Sequence, residues 1–336
     1  MLNIHKIMFF NTMIFGTLIV ISAYSWFSMW IGLEINLLSI IPLLKSPKSL
    51  YPSEASMKYF ITQSLASTIL LLAVLLMSNL NEFMPQNSSL FLIILINSAL
   101  LMKIGMAPFH WWLPEVIEGL SWNSSFLLLT WQKLGPMIIL TYNLTTNFFI
   151  FVIIFSSLVS GIWGVNQISL RKILAYSSIN HMAWMLASIL YFKMIWLTYF
   201  IIYTLISVNI IVMFKYLNIF WLKQLFSSMS QSKMKKLFFI LNFLSLAGLP
   251  PFLGFMPKWL ITNNLIENNF YTVSIILIVS TLLPLFFYMR MTFSTLTFSA
   301  NEVLLKTEEK FNFKIILLNF FSLSGLLTCT NIYNLF

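Results

Sequence analysis

Of 336 residues, 59% are hydrophobic and 8% charged, and the mean hydropathy is +0.89. About 200 apolar residues against 28 charged ones leave too little polar surface to coat a soluble core, so a water-soluble enzyme is excluded and lipid is the solvent for most of the chain. The net charge of +10 rests on seventeen Lys and two Arg against nine Glu and no Asp, and cations this sparse carry topology rather than a nucleic-acid patch.

A hydrocarbon core of about 30 Å needs about 20 apolar residues per helix. Runs of that length predict an all-α polytopic membrane protein with eleven transmembrane segments, near residues 7 to 24, 26 to 44, 59 to 77, 90 to 119, 122 to 142, 148 to 166, 173 to 192, 195 to 214, 237 to 265, 271 to 289 and 315 to 335. The first run is too long, and too lacking in a small-residue cleavage site, to read as a removable signal peptide. The cations test this count. The N-terminus and the loops after segments 2, 4, 6, 8 and 10 collect Lys6, Lys45, Lys48, Lys58, Arg171, Lys172, Lys215, Lys223, Lys233, Lys235, Lys236, Arg290, Lys306, Lys310 and Lys314, while the opposite side receives only Lys193. A split of fifteen to one predicts the N-terminus on the side of synthesis and the C-terminus across the membrane.

Three Lys fall inside the segments. Glu34 sits at the centre of the second, Lys103 and Lys133 within the fourth and fifth, and Lys258 follows Pro257 in the ninth; His181 lies inside the seventh. A charge at a helix centre costs about 2.5 to 3.5 kcal/mol, so Glu34, Lys103 and Lys133 together cost about 8 to 10 kcal/mol and need partners or water. The plain alternative is a static interhelical ion pair, with the remaining Lys snorkelling, Lys258 near the surface, His181 a hydrogen-bonded packing residue and His110 a cap for freed backbone. The functional reading is a hydrated chain of groups whose proton affinities their neighbours tune, as a proton relay requires.

Segments four and nine are each about ten residues longer than a span needs, and they match. Gly105-Met106-Ala107-Pro108-Phe109 with Pro114 aligns at an offset of 143 with Gly248-Leu249-Pro250-Pro251-Phe252 with Pro257, giving G-x-x-P-F-x-x-x-x-P in both. Pro removes backbone donors and Gly permits unusual backbone angles, so both helices are expected to be discontinuous. Lying five apart in the order of spans, the two copies run in opposite directions, an inverted repeat of the kind transporters use to build ion sites. The halves are residues 1 to 143, broken near 105 to 114, and 144 to 291, broken near 248 to 257; a loop and last helix occupy 292 to 336. One Cys (Cys329), three scattered His, and no C-x-x-C-H, G-x-G-x-x-G or Walker sequence put any redox or ATP chemistry on another polypeptide.

Gly32-Leu33-Glu34-Ile35-Asn36, Lys103-Ile104-Gly105-Met106-Ala107-Pro108-Phe109-His110, Trp131-Gln132-Lys133, Arg171-Lys172 with Ser177-Ser178-Ile179-Asn180-His181, and Gly248 to Phe255 with Pro257-Lys258-Trp259 together resemble the family of subunit 2 of the mitochondrial NADH:ubiquinone oxidoreductase, respiratory complex I. Abundant Phe, Ile, Met, Asn and Lys with scarce Ala, Gly and Arg is similar to the product of an AT-rich animal mitochondrial genome, that of an insect. The resemblance implies an antiporter-like proton-pumping subunit of the membrane arm. It also implies that animal forms lack three N-terminal helices of their fourteen-helix bacterial relatives, in agreement with eleven segments. Glu34 and Lys103 would form the charge pair of the first half-channel, Lys133 the bridge to the centre, Lys258 the terminal Lys of the second half, and His181 a member of the same axis.

The resemblance further implies the mitochondrial inner membrane, with the N-terminus in the matrix and the C-terminus in the intermembrane space. Its partners would be other membrane-arm and accessory subunits and lipids, with no nucleic acid; flavin and iron-sulfur clusters would lie on other subunits, and this chain would hold no cofactor or metal. Two alternatives stay open: a subunit of a multi-chain sodium/proton antiporter, disfavoured by composition and by the missing helices, and a purely structural membrane subunit, disfavoured by the cost of four buried charges.

Overall fold

The computed structural model describes residues 4–45, 50–80, 86–229, 233–250, 252–297 and Asn319. Among them the secondary structure is helical, with one isolated backbone bridge between Ser169 and Trp221. Six helices are long and apolar enough to cross a membrane, which makes the chain a multi-pass membrane protein: α1 (Ile4–Ser22), α2 (Trp26–Leu44), most of α3 (Tyr51–Leu80), α8 (Thr146–Val165), α10 (Lys193–Tyr216) and α14 (Tyr271–Thr297). The chain divides into two compact units, Met1–Phe155 and Ser156–Phe336.

In the first unit α1 and α2 form a tight antiparallel pair, and Ser25 caps α2 by accepting from the Ser28 amide at 3.2 Å. The helix α3 buries a stripe of Ala55, Tyr59, Gln63, Ala66, Ser67 and Leu70, spaced three and four apart as a helix face requires. Its 30 residues exceed the expected span of 59 to 77, and the excess lies mainly at the N-terminal end. The fourth expected segment appears as α4 (Gln86–Ile104) and α5 (Trp112–Gly119), and the fifth as α6 (Trp122–Leu129) and α7 (Trp131–Leu140). The interruption at Thr130 was not expected. There the hydroxyl donates back to the Phe126 carbonyl at 2.8 Å, a local bond that competes with the helical ladder.

In the second unit α9 (Leu170–Ile189) is buried on every side from Ile173 to Ile189, packed against α10, α13 (Phe255–Glu267) and α14. It carries Ser177, Ser178, Asn180, His181 and Ser188, and in lipid a helix with that many polar groups is driven to the protein interior. The ninth expected segment appears as α12 (Lys233–Ala247) followed by α13. A short helix, α11 (Leu222–Met229), was not expected, and α14 runs past 289 to Thr297, into the stretch expected as loop. Lys235, expected in a surface loop, is buried in the first turn of α12. The last expected span, 315 to 335, lies outside the described residues except for Asn319, which is helical, buried and hydrogen-bonded to the Asn242 amide.

Helices α4 and α12 end alike. Gly105 has φ of +80° and Gly248 of +78°, left-handed values that cost glycine little. In each case the next amide reaches five residues back, Met106 to the Leu101 carbonyl at 3.1 Å and Leu249 to the Leu244 carbonyl at 3.3 Å. This is the glycine C-cap that terminates a helix while pairing its last carbonyls, and the prolines that follow (Pro108 and Pro250) cannot donate to restart it.

Candidate functional site

Glu34 lies midway along α2, and Lys103 is the penultimate residue of α4, where the helix dipole favours a cation. The Lys103 ammonium stands 3.9 Å from Glu34 Oε1, with side-chain exposures of 3% and 25%. That distance permits strong attraction in a low-dielectric interior and is too long for a hydrogen bond, so the pair is associated without being locked.

The carbonyls freed where α4 stops are taken by neutral donors. Trp112 donates its indole N–H to the Met102 carbonyl at 3.0 Å, and Gln63 of α3 donates Nε2 to the Lys103 carbonyl at 3.2 Å. His110 is buried, with Nδ1 3.3 Å from the Pro108 carbonyl, so one ring nitrogen serves the freed backbone; Nε2 has no hydrogen-bond partner among the described residues.

Lys133 sits in the first turn of α7, directly after the interruption at Thr130. It is 2% exposed, and its ammonium has no hydrogen-bond partner among the described residues. A buried cation in that condition is costly unless water reaches it or its charge is removed. Beside it a buried polar network begins: Gln132 donates Nε2 to Asn36 Oδ1 at 2.9 Å and accepts the Tyr59 hydroxyl at 3.3 Å.

In the second unit Lys258, in the first turn of α13, reaches back and donates to the Ala247 carbonyl at 2.6 Å, its ammonium 5.9 Å from the Trp184 ring centroid. His181 has Nδ1 2.8 Å from the Tyr199 hydroxyl and its ring 5.1 Å from that of Tyr203. A cavity with room for about one water molecule is lined by His181, Tyr199, Tyr203, Ser245, Gly254 and Pro257.

The structure thus brings Glu34 and Lys103 together and buries Lys133 in the same unit. Lys258 is half-buried and bound to backbone in the other unit, where His181 faces tyrosines. Sequence reasoning missed Tyr59, Gln63 and Trp112 and gave Gln132 no role of its own. A signal existed for two of them: Tyr59 and Gln63, with Ser67, are polar-headed residues four apart on one face of an otherwise apolar run, a face that turns inward in lipid. Among the described residues no group of three or more His, Cys, Asp or Glu converges as a metal site would need, and Cys329 lies outside them.

Comparison with known proteins supplies a context for this geometry. Residues 23–284 match the family model described as NADH:quinone oxidoreductase/Mrp antiporter, TM. The chain is 46% identical over 338 residues to the NADH-ubiquinone oxidoreductase chain 2 of Aedes aegypti and 45% identical over 342 residues to that of Anopheles gambiae, with 99% of each chain covered in both cases. Among solved structures it is similar to a chain of respiratory complex I from Thermus thermophilus, with a TM-score of 0.84 at 20% identity, covering 97% of this chain and 79% of that one.

Proposed function

The chain belongs to the NADH-ubiquinone oxidoreductase chain 2 family, and from that membership we propose that it is a core membrane-arm subunit of respiratory complex I that carries protons across the mitochondrial inner membrane. The NADH oxidation and ubiquinone reduction that drive this transport belong to other subunits, which hold the flavin and iron-sulfur clusters, and this chain holds no cofactor of its own. Its neighbours are other membrane-arm and accessory subunits and bound lipids. On this reading the chain crosses the membrane eleven times, with the N-terminus in the matrix and the C-terminus in the intermembrane space. Residues 1 to 143 and 144 to 291 are inverted halves, each with one discontinuous helix, and the C-terminal helix follows.

Within this frame the relay runs through Glu34 and Lys103, Lys133, His181 and Lys258. The observation that carries the reading is the burial of the Lys133 ammonium without a hydrogen-bond partner among the described residues, in the same unit as a Glu34–Lys103 pair held 3.9 Å apart. A scaffold gains nothing from an ammonium in that condition, since an apolar side chain of the same length would pack there at lower cost. A relay needs it, because a group that exchanges a proton must sit where its charge is neither fully solvated nor permanently neutralised.

The test is Lys133→Met in the assembled complex, which keeps length and apolarity, read out as NADH:quinone turnover and protons moved per electron. Collapse of turnover in a complex that remains assembled is the expected result, and a lower proton ratio at full turnover would also support a relay role. If both quantities stay at their parent values, Lys133 is a packing residue and the transport role of this site is refuted.

A further inference from the structure

Two residues flank the relay candidates without belonging to them. Asn36 follows Glu34 by two positions on α2, and Gln132 immediately precedes Lys133 on α7. Their amides meet in the interior, Gln132 Nε2 donating to Asn36 Oδ1 at 2.9 Å, while the Tyr59 hydroxyl of α3 donates to Gln132 Oε1 at 3.3 Å. All three side chains are buried. An amide bonded at both ends, as donor to one helix and acceptor from another, has lost its rotational freedom, and in a low-dielectric interior each bond is costly to break.

The backbone around Gln132 explains why such a tie matters. The helix α7 begins after the interruption at Thr130 with no side-chain cap among the described residues, and Pro136 has no N–H to give the Gln132 carbonyl. The first turn of α7, where Lys133 sits, is therefore poorly held by its own ladder. The tie extends beyond it. Tyr59 stands edge-on to Trp112, with ring centroids 5.7 Å apart, and Trp112 holds the Met102 carbonyl at the end of α4. One chain of contacts joins the helix that carries Glu34, the helix that carries Lys133 and the break beside Lys103.

We propose that Gln132 is a positioning residue, whose two-sided hydrogen bonding fixes the register of α7 against α2 and α3 and so holds the Lys133 ammonium in place relative to the Glu34–Lys103 pair. This inference rests on the relay reading above. It assigns the Asn36–Gln132–Tyr59 network to geometry and gives it no proton to carry.

The test uses the assembled complex with Gln132→Leu, Asn36→Leu, the double variant, and the exchange pair Asn36→Gln with Gln132→Asn, with Lys133→Met run alongside. Asn36→Leu, which removes one buried hydrogen bond, is expected to lower kcat about three- to tenfold and Gln132→Leu, which removes two, by at least as much, with KM for quinone unchanged. The double variant should fall no further than the worse single, because both remove the same link. The exchange pair, which restores an amide on each helix, should recover at least half of the parent rate. A kcat within twofold of the parent in the single variants, a double loss equal to the product of the single losses, or no recovery in the exchange pair overturns the proposal. Where Gln132→Leu fails to assemble, Tyr59→Phe decides, since it removes one hydroxyl and no volume: a lower kcat at constant KM supports positioning, and an unchanged kcat refutes it. If Lys133→Met leaves turnover and proton ratio untouched, the relay reading itself fails; if it stops turnover while the Gln132 variants are silent, only the positioning role falls.

Discussion

The two breaks begin with the same sequence pattern and the same backbone turn, and differ in what the lysine beside each one does. At the first, two neutral side chains, Gln63 and Trp112, take the carbonyls of Lys103 and Met102, and the Lys103 ammonium is left to face Glu34. At the second, the Lys258 ammonium itself takes the Ala247 carbonyl at 2.6 Å. One lysine stands before its glycine and the other after, so the first can turn from its own backbone while the second folds back over the turn. A shared motif therefore fixes where the helix stops and leaves open how the stop is satisfied. Whichever group satisfies it is withdrawn from other work.

The strongest way to break this comparison is at the glycines. A Cβ on Gly248 would lie 2.8 Å from the Lys258 ammonium and 2.9 Å from its Cδ and Cε, so Gly248→Ala adds the loss of the Lys258 bond to left-handed strain. The two terms sum to about 3 to 4 kcal/mol, and the expected result is a marked loss of assembled complex on a native gel. Gly105→Ala meets the Trp112 ring at 3.1 Å and Leu113 Cβ at 3.2 Å with no charged bond to displace, and its expected cost is the left-handed strain of about 1 to 2 kcal/mol plus a small shift of those neighbours.

A smaller effect separates the lysines. Lys258→Met leaves the Ala247 carbonyl without its donor and should lower stability by about 2 kcal/mol, seen as an earlier midpoint of thermal disassembly. Lys103→Met takes no donor from a backbone carbonyl among the described residues but leaves Glu34 without its partner. Because the Glu34 side chain is 25% exposed, water can take the ammonium's place, so the loss of stability should be about 1 kcal/mol, smaller than for Lys258→Met, while turnover falls. Equal thermal shifts for the two would erase the distinction. The smallest expected effect is Gln63→Leu, which withdraws the neutral donor from the Lys103 carbonyl at a cost of about 1 kcal/mol. If the first break differs from the second because of Gln63 and Trp112, this variant should also depress turnover, by drawing the Lys103 ammonium toward its own backbone. Unchanged turnover would place the cause elsewhere.

That α4 and α12 stop at Gly105 and Gly248 was legible because Gly and Pro act through the backbone and need no knowledge of neighbours. The different uses of Lys103 and Lys258 were not, since the deciding donor, Gln63, arrives from a helix 40 residues away in the chain. Sequence left Lys258 between a relay role and a place near the surface, and gave no hint of its bond to the Ala247 carbonyl. The interruption at Thr130 escaped for another reason. The run from 122 to 142 has the length of one span, and a threonine hydroxyl can back-bond within a helix or help end one with the same composition around it. The charge pattern puts Lys235 in a loop, and charge alone carries no trace of the helix that starts at Lys233 and buries it. His181 was open between packing and function, and its tyrosine neighbours, 18 and 22 positions along the chain, became visible only in three dimensions.

The extra length of α3 fixes a waterline. Thirty residues make a rod of about 45 Å against a hydrocarbon core of about 30 Å. The surplus carries Glu54 and Lys58, exposed and bridged at 3.2 Å, and Lys58 also reaches Glu115 of α5 at 3.1 Å. Three exposed charges in one cluster belong at the rim of the bilayer. Glu115 is the fourth residue of α5, so Trp112, where the first break hands over to helix, lies at most about 5 Å deeper. Whatever its tilt, the helix that follows Gly105 starts within about one turn of that charged rim and not at the middle of the hydrocarbon.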